Sequence, residues 1–244
     1  LGPTKFRILT DNGGNGAKVQ DLEIKENKII PIGDARLICT NHSPQDFNLP
    51  MLPKNGRLVV GFDNQSKTTK IWKIEDDDSC TPIKDLGFAT SKADFNYQNN
   101  KIVFHIRTDD PLSREYISTP MPKHAQNVFT YDLQTDELRR ITNLTNTNAF
   151  YPTFLPDDTI VYGVLKDGVT TFVHADPSKT RSLELAGTFS VSPAADALGR
   201  LWVNACGRGK VTNLEAPISA SIARGMNASQ CRRLVETYWF DFQG

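Results

Sequence analysis

Two aspartates, Asp21 and Asp94, are the residues of this sequence best suited to acid and base chemistry. Each falls in a short stretch that predicts an inner strand of a sheet, VQDLEI for Asp21 and ADFNY for Asp94. Cleavage of a glycosidic bond requires two carboxylates about 5 to 9 Å apart. Alternatively the two side chains cap turns or accept hydrogen bonds from backbone N–H groups, since no third acid and no aromatic substrate platform are evident.

Other catalytic and metal-binding patterns are weaker. The acidic triplet at 76–78 could hold calcium only together with loop carbonyls, and it is more typical of a solvated hairpin tip. No GxSxG elbow is present for a serine nucleophile. The histidines have no HxH or HxxxH spacing that would place two on one face of an element: His42, His105, His124 and His174. We therefore expect no metal site and no cofactor.

Two segments interrupt the short strands and are the main candidates for a binding surface. Residues 109–126 contain three prolines and predict an ordered loop. Residues 207–236 predict one or two short amphipathic helices, because Ile218, Ile222, Met226 and Leu234 recur at roughly helical spacing. Both segments carry side chains of the kinds enriched at protein interfaces: Arg114, Tyr116, His124, Arg224, Met226 and Arg232. The alternative is that these side chains only pack the insertions against the rest of the domain.

Four cysteines, none in a CxxC pair, favour two disulfides in an exported protein. Cys206 ends a predicted strand and Cys231 lies in the predicted helical insertion, so a bond between them would pin that insertion. A bond between Cys39 and Cys80 then follows by elimination, although joining the outer regions of neighbouring repeats is geometrically less comfortable. Four buried thiols in a cytosolic domain are the alternative.

The elements that must position these residues are repeated. Residues 127–164 predict a strand, a polar turn, a second strand, an Asn/Thr linker, an aromatic strand ending in Leu-Pro, a turn and a further strand. Residues 36–62 show the same order of a phenylalanine, Leu-Pro, a turn and an apolar strand. Copies begin near 47, 93, 149 and 188, spacings of 46, 56 and 39 residues. Such periods are typical of propeller blades with insertions.

The sequences FLPDDTIVYG, FTYDLQTDELRRIT and SVSPAADALGRLWV resemble the TolB-like family of periplasmic propeller repeats. That family repeats an aromatic strand, Ser-Pro-Asp-Gly, a hydrophobic strand, Tyr-x-x-Asp-Leu and Arg-Leu-Thr. This sequence departs from the pattern at 157–158, where Asp-Asp replaces Asp-Gly, and at 54–56, where Lys-Asn-Gly stands. The resemblance implies architecture rather than chemistry, because the repeated residues are turn and core positions.

The fold class predicted is all-β, a five-bladed β-propeller with a short helical insertion in the last blade, forming one domain over residues 1–244. The last blade offers three strands before the chain ends, so we expect the first strand, KFRILT, to pair with it and close the ring. If KFRILT belongs instead to the first blade as its innermost strand, the last blade lacks its outer strand.

The composition limits the classes of partner. Lys+Arg and Asp+Glu both total 28, so no electrostatic attraction to nucleic acid or to an anionic membrane is expected. No apolar run approaches the roughly 20 residues that span a bilayer. The sequence begins with Leu1 and lacks a signal-peptide pattern, so we expect a mature or trimmed form.

The function predicted from these observations is that of a non-enzymatic, exported protein, periplasmic or extracellular in a bacterium. It would bind another protein through its insertion-bearing face, as a scaffold or as a subunit of a larger assembly. The alternative is a carbohydrate-active hydrolase or lectin whose central funnel holds a glycan near Asp21 and Asp94.

Overall fold

The computed structural model describes residues 5–11, 17–25, 28–41, 48–51, 57–63, 65–90, 93–107, 126–145, 147–166, 169–179, 182–186, 194–195, 198–206, 210–212, 217–218 and 235–241. Over these ranges the regular elements are all strands, and none is a helix, so none could cross a membrane as a helix. In chain order they are β1 (Lys5–Asp11), β2 (Ala17–Lys25), β3 (Lys28–Ile38), β4 (Asn48–Met51), β5 (Leu58–Asp63), β6 (Thr68–Ile74), β7 (Cys80–Asp85), β8 (Asp94–Phe95), β9 (Lys101–Arg107), β10 (Gln126–Asp132), β11 (Leu138–Arg140), β12 (Ala149–Phe154), β13 (Ile160–Lys166), β14 (Val169–His174), β15 (Ser182–Ala186), β16 (Ala194–Ala195), β17 (Arg200–Cys206), β18 (Lys210–Thr212), β19 (Pro217–Ile218) and β20 (Val235–Asp241).

The described strands form five sheets, and every pairing between them is antiparallel. Sheet 1 has the order β1-β2-β3 and sheet 2 the order β4-β5-β6-β7. Sheet 3 is β11-β10-β9-β8, sheet 4 is β12-β13-β14-β15-β18, and sheet 5 is β16-β17-β20-β19. The predicted all-β class is confirmed.

Alternating apolar residues allow one sheet to pack against two neighbours. On β9, Ile102, Phe104 and Ile106 join a buried cluster with Val60 and Ile71 of sheet 2. Val103, between them in sequence, belongs instead to a cluster shared with sheet 4. Because successive side chains of a strand point to opposite faces, this alternation places sheet 3 between sheets 2 and 4.

Sheet 2 shows the same alternation with the sheets on either side of it. Val60 faces sheet 3, whereas its neighbour Val59 packs with Val19 and Ile38 of sheet 1. Trp72, fully buried, lies in that second cluster. Successive antiparallel sheets packed face to face are the arrangement of blades in a β-propeller.

Aspartates close many of the turns between strands by the same hydrogen bond. The carboxylate of the first turn residue accepts a bond from the backbone N–H two residues later, an Asx turn. The bond from the Thr159 amide to Asp157 measures 3.0 Å. Equivalent bonds are made by Asp63, Asp77, Asp85, Asp132 and Asp176. The polar turns predicted from sequence are thus held by a repeated side-chain contact.

The departure from Asp-Gly at 157–158 is accommodated by backbone conformation. Asp158 has a φ of +63°, the left-handed region that the family's glycine would occupy without strain. Asn99 has a φ of +57° in the corresponding turn of sheet 3. Asp and Asn tolerate this region better than other residues with a side chain, which explains how the turn survives without glycine.

The expected pairing of the two terminal strands is not found among the described residues. β1 forms a hairpin with β2, with Leu9 opposite Val19, and it also lies beside β4. β20 pairs with β17 on one side and with β19 on the other. The outer position of sheet 5, which the prediction gave to β1, is therefore held by β19, drawn from the insertion itself.

The helical prediction for residues 207–236 is wrong where the structure describes the segment. Lys210–Thr212 pairs with β15 as a fifth strand of sheet 4. Ile218, predicted on a helix, lies in β19, and Val235 begins β20. Strand edges nearby accept these short pieces as partners, which overrides a weak helical periodicity. Residues 219–234 lie outside the described chain.

Candidate functional site

Asp94 lies at the edge of sheet 3 and contacts the edge of sheet 4. Its side chain is buried, with 6% of the residue exposed. One carboxylate oxygen accepts a 2.6 Å hydrogen bond from the Thr153 hydroxyl and a 3.1 Å bond from the Phe154 backbone N–H. A carboxylate held in this way joins two sheets, and the alternative of bonding a backbone N–H describes it better than that of a catalytic acid.

Asp21 does not share this location. It lies on β2, the middle strand of sheet 1, opposite Arg7 of β1 and Ile32 of β3. The sequence predicts both aspartates on inner strands; within the described part of sheet 1, β1 lies on one side of Asp21 and β3 on the other. β2 pairs with β1 on one side and with β3 on the other, so the position of Asp21 is fixed within a sheet rather than at its edge. Asp21 and Asp94 belong to sheets separated by sheet 2.

The turn after β8 adds a second contact with sheet 4 and extends this junction to sheet 5. Asn96 is fully buried and accepts 3.0 Å bonds from the amides of Asn100 and Lys101. Its amide nitrogen lies 3.3 Å from a carboxylate oxygen of Asp158 in sheet 4. The phenol of Tyr97 donates a 3.2 Å bond to the backbone oxygen of Ala195 on β16. Edges of sheets 3, 4 and 5 are thus connected by polar side chains.

An aromatic cluster lies where β12 bulges. The register between β12 and β13 shifts between Phe150 and Thr153, and Tyr151 has a φ of +48°. The Tyr151 ring lies edge-on to His105 of sheet 3 at 5.9 Å and to Phe150 at 5.3 Å. A β-carbon at Gly163 would come within 2.7 Å of Phe150. A bulge redirects side chains, which here places an aromatic group between sheets 3 and 4.

Metal-binding geometry is not assembled in the described ranges. No group of three or more His, Cys, Asp or Glu side chains is placed to hold an ion there. His42 and His124 fall outside those ranges, while His105 and His174 are buried on different sheets. The side chains of the 76–78 triplet diverge to separate partners: Arg57 for Asp76, the Ser79 amide for Asp77 and Arg36 for Asp78.

Two carboxylates have strongly lowered pKa values for structural reasons. Burial alone would raise the pKa of Asp63, but hydrogen bonds from Lys70, the Gln65 amide and Ser66 lower it to about 2. Burial would likewise raise the pKa of Asp157, whereas bonds from Thr159 and Lys179 lower it to about 2. Both carboxylates accept hydrogen bonds within turns between strands, so their negative charge stabilises the hairpins.

One of the two predicted disulfides is present in the structure. Cys39 and Cys80 are bonded, with α-carbons 4.6 Å apart, and both are buried. The bond joins sheets 1 and 2, the less favoured of the two predicted pairings. Close packing of Val19 and Ile38 against sheet 2 brings the cysteines within reach, which strand spacing in the sequence did not indicate. Cys206 ends β17 as predicted, and Cys231 lies outside the described residues.

The residues predicted to bind a protein partner cannot be placed. All six lie in the parts of the two insertions that the structure does not describe: Arg114, Tyr116, His124, Arg224, Met226 and Arg232. The strands that flank the insertions are described. The first insertion connects β9 to β10, and Gln126, its last predicted residue, is already in β10. The second lies between β17 and β20 and contains β18 and β19, and its last two residues are in β20. The two strands that flank each insertion are the central strands of their sheet.

Sequence reasoning missed the partners of Asp94 and the role of its neighbours. Thr153, Asn96 and Tyr97 are ordinary turn or strand residues by type, and no motif marks them. The available signal was the repeat itself, since aligning ADFNY with PTFLP places Asp94 opposite Thr153 of the next copy. Such an alignment identifies equivalent positions but not that the two would bond to one another.

The sequence matches no protein-family profile and no curated protein. Its structure is similar to TolB from Acinetobacter baumannii, at 13% identity and a TM-score of 0.49, over 91% of this chain and 51% of that one. It is similar to oligogalacturonate lyase in complex with manganese, at 8% identity and 0.47, over 94% and 77%. The nidogen/laminin complex gives 15% identity and 0.44, over 82% and 72%.

This chain spans about half the length of the TolB structure that it matches. The resemblance to TolB-like propeller repeats noted in the sequence thus recurs in the comparison of structures. At these identities and TM-scores the similarity concerns the arrangement of the chain alone. The functional argument therefore depends on this chain's own residues.

Proposed function

We propose that this chain is a non-enzymatic, exported β-propeller of five blades, a single domain over residues 1–244, that binds another protein. The binding face is the one that bears the two insertions. The protein acts as a rigid scaffold or as a subunit of a larger assembly in the periplasm or outside a bacterial cell. Recognition depends on shape and on a few strongly contacting side chains, and it requires no metal or cofactor.

The observation that carries this proposal is the position of the two insertions in their sheets. One lies between β9 and β10 and the other between β17 and β20, the central strand pair in each case. Connections in the same slot of propeller blades emerge on the same face of the disc. Two long insertions on one face supply a broad surface, whereas six other described turns are closed by Asx bonds.

Five sheets within the described residues support the blade number, and the ring would close by sheets 1 and 5 lying side by side. β1 beside β4 is suited to the innermost place in sheet 1. β19 supplies an outer strand to sheet 5. Closure of this form needs no strand exchanged between the chain ends.

The contact residues proposed are those of the insertions. Arg114, Tyr116 and His124 in the first combine guanidinium, phenol and imidazole groups, and Arg224, Met226 and Arg232 lie in the second. Arginine and tyrosine dominate the binding energy of many interfaces because they combine large contact area with directional hydrogen bonds. A partner with acidic and apolar groups at its surface suits this set.

The buried contacts of Asp94 favour a binding role over hydrolysis. Its carboxylate accepts bonds from Thr153 and Phe154 inside a contact between sheets. A general acid must reach the oxygen of a leaving group, which this placement does not favour. Asp21 lies on the middle strand of another sheet, which argues against the shared location that glycosidic cleavage requires.

Site-specific photocrosslinking tests the proposal. A photoreactive amino acid is placed at Tyr116 or Arg224 in the exported protein, and at Ile83, which is 52% exposed on β7, as a control. We expect one protein to be crosslinked from both insertions and not from position 83. The purified partner should then bind the Arg114→Ala/Tyr116→Ala variant at least tenfold more weakly than the parent, the scale of a lost hot spot.

Equal crosslinking from position 83, or unchanged affinity of the Arg114→Ala/Tyr116→Ala variant, would contradict binding through the insertions. A glycan array probed with the same preparation distinguishes the carbohydrate alternative. Binding of a defined glycan that is lost in an Asp21→Asn variant would favour that alternative.

A further inference from the structure

Sheet 1 is fastened to sheet 2 at one corner. The disulfide between Cys39 and Cys80 is the covalent element of that corner. The Cys39 amide donates a 2.8 Å bond to the Asp78 backbone oxygen, and Arg36 forms a 2.9 Å ion pair with the Asp78 carboxylate. The Asn41 side chain bonds both the N–H and the carbonyl of Cys80 at 2.9 Å. These bonds all involve residues 36–41 and 78–80.

Several described side chains of β3 are exposed. Ile30 and Ile32, away from this corner, are 41% and 38% exposed, and Leu37, within it, is 42% exposed; these are three of the five large apolar side chains found exposed in the described ranges. The apolar contact with sheet 2 uses Val19, Ile38 and Cys39 from this side. Among the described side chains of sheet 1, Val19, Leu22 and Ile38 are buried, and Val19 and Ile38 pack beside the disulfide.

We propose that the Cys39–Cys80 disulfide is a redox latch that holds sheet 1 against sheet 2. When the bond is intact, sheet 1 is docked and covers the flank of sheet 2. When a dithiol reduces it, sheet 1 opens as a unit while the other sheets keep their packing. This device is independent of the partner proposed above, because it concerns a different surface.

The dithiol supplies the two electrons for this thiol–disulfide exchange. One thiolate of the reductant attacks a sulfur of the bond and releases the other cysteine as a thiolate, which takes up a proton. The second thiol of the reductant then attacks the mixed disulfide, which forms the reductant's own disulfide and releases the cysteine that was attacked first. Two electrons pass to Cys39 and Cys80, and the dithiol is oxidised. Both sulfurs are buried, but Thr40 and Thr81 beside them are exposed, so a local displacement uncovers them.

The latch acts on a local equilibrium. Proteins open in cooperative units whose stability follows their buried contacts, and the described contacts of sheet 1 with sheet 2 centre on the disulfide. A crosslink suppresses such opening because it restricts the open ensemble. Without it, the exposed ion pair of Arg36 with Asp78 contributes little. The small cluster around Val19 and Ile38, the hydrogen bonds of Asn41 and the proximity of β1 to β4 must then hold the sheet.

Opening would uncover an apolar flank. Val59, Trp72 and Ile74 of sheet 2 are buried in the cluster that sheet 1 completes. In a reducing compartment the chain would thus present this flank, and in an oxidising one it would cover it. Docking of sheet 1 becomes a late step that export to an oxidising compartment completes.

Hydrogen exchange of the full chain tests the latch. Exchange is measured for peptides covering 17–25 and 28–38 in sheet 1, and 101–107 and 126–132 in sheet 3, with and without a dithiol. We expect exchange in sheet 1 to accelerate by about tenfold or more on reduction, with sheet 3 unchanged. The Cys39→Ala/Cys80→Ala variant should show the same fast exchange without reductant.

Reduction could also affect Cys206 and Cys231, so a Cys206→Ala/Cys231→Ala variant is the matched control. Its sheet 1 should stay protected until the dithiol is added. Unchanged exchange of sheet 1 on reduction would overturn the latch. Equal acceleration in sheets 1 and 3 would do so as well, because the bond would then stabilise the whole domain. Should the alanine variant fail to fold, reduction and reoxidation of the parent protein gives the same comparison.

Discussion

The hydroxyl of Thr153 on sheet 4 donates a 2.6 Å hydrogen bond to a buried carboxylate oxygen of Asp94 on sheet 3. The backbone N–H of Phe154 donates to the same oxygen. Asp94 lies on β8 and its two donors lie on β12, and both are edge strands, so the contact joins the edges of two sheets. A carboxylate that accepts hydrogen bonds from two donors of the neighbouring sheet links the two sheets. Its removal should therefore lower the free energy of unfolding.

We predict that Asp94→Ala lowers the free energy of unfolding by about 2 to 4 kcal/mol, because it leaves two buried donors without an acceptor. Urea denaturation measures the change. Asp76→Ala is the matched control, since the Asp76 side chain is 93% exposed and its pairing with Arg57 is a surface ion pair. Its effect should stay within about 0.5 kcal/mol. Equal costs for the two variants would show that the link between sheets is unimportant.

The contact between Phe150 and Gly163 yields a second prediction. Gly163→Ala places a β-carbon 2.7 Å from the Phe150 ring, so the ring must move. We expect a loss of about 1 to 3 kcal/mol from overpacking. In a Phe150→Leu background the added methyl group has more space, and the cost of Gly163→Ala should fall by at least half. Thermal unfolding of the four proteins of this cycle measures the coupling.

Gly33→Ala is the control for that cycle. Gly33 has a φ of +65°, and nothing lies within 4 Å of an added β-carbon. Its substitution should cost about 1 kcal/mol through backbone conformation alone. This cost should be the same with Phe150 or Leu at position 150. Strictly additive effects of Gly163→Ala and Phe150→Leu would contradict the steric explanation.

The repeated strands could be predicted because their pattern of apolar residues involves only residues that are close in sequence. In β6 of sheet 2, Ile71 and Trp72 are adjacent in sequence. Ile71 faces sheet 3, and Trp72 faces sheet 1. Apolar residues on both faces of a strand indicate burial between two layers. The turns could be predicted as well, since an Asp at the first position can accept the backbone N–H of the residue two places later in an Asx turn.

Ring closure could not be predicted in the same way. Which strand occupies the edge of sheet 5 depends on what reaches it in space, and β19 contains only Pro217–Ile218. Two residues give no periodicity. The role of Asp94 was open for a similar reason, because a carboxylate on a strand suits both catalysis and structure until its neighbours are known. The bond from Thr153, 59 residues later, favours the structural role.

The lowered pKa of Asp63 predicts a loss of stability in acid. Its pKa in the folded protein is about 2, below the ordinary 3.8. The stabilisation is therefore fully present above about pH 4 and is lost as the pH falls towards 2, amounting to about 2 kcal/mol. Asp63→Asn should remove that part of the pH dependence, measured as the free energy of unfolding from pH 5 to pH 2.

Asp157→Asn offers the comparison for Asp63. The pKa of Asp157 is also lowered to about 2, but its side chain is 39% exposed, so solvent screens its charge. Its substitution should flatten the same pH window less than Asp63→Asn does. A pH profile of Asp63→Asn that parallels the parent protein would show that the bonds from Lys70 and Ser66 are not what makes the hairpin acid-sensitive.

Asp158 stands where the family pattern has glycine, and its backbone conformation leads to a further prediction. With a φ of +63°, Asp158→Val should cost about 1 to 2 kcal/mol, because a β-branched side chain is strained in the left-handed region. Asp158→Gly should cost less than Asp158→Val, because both variants lose the bond from Asn96 but glycine adopts this backbone conformation without strain. Asn99, at +57° in sheet 3, should show the same order of valine and glycine variants. If valine and glycine cost the same at both positions in chemical denaturation, backbone conformation is not what selects Asp and Asn in these turns.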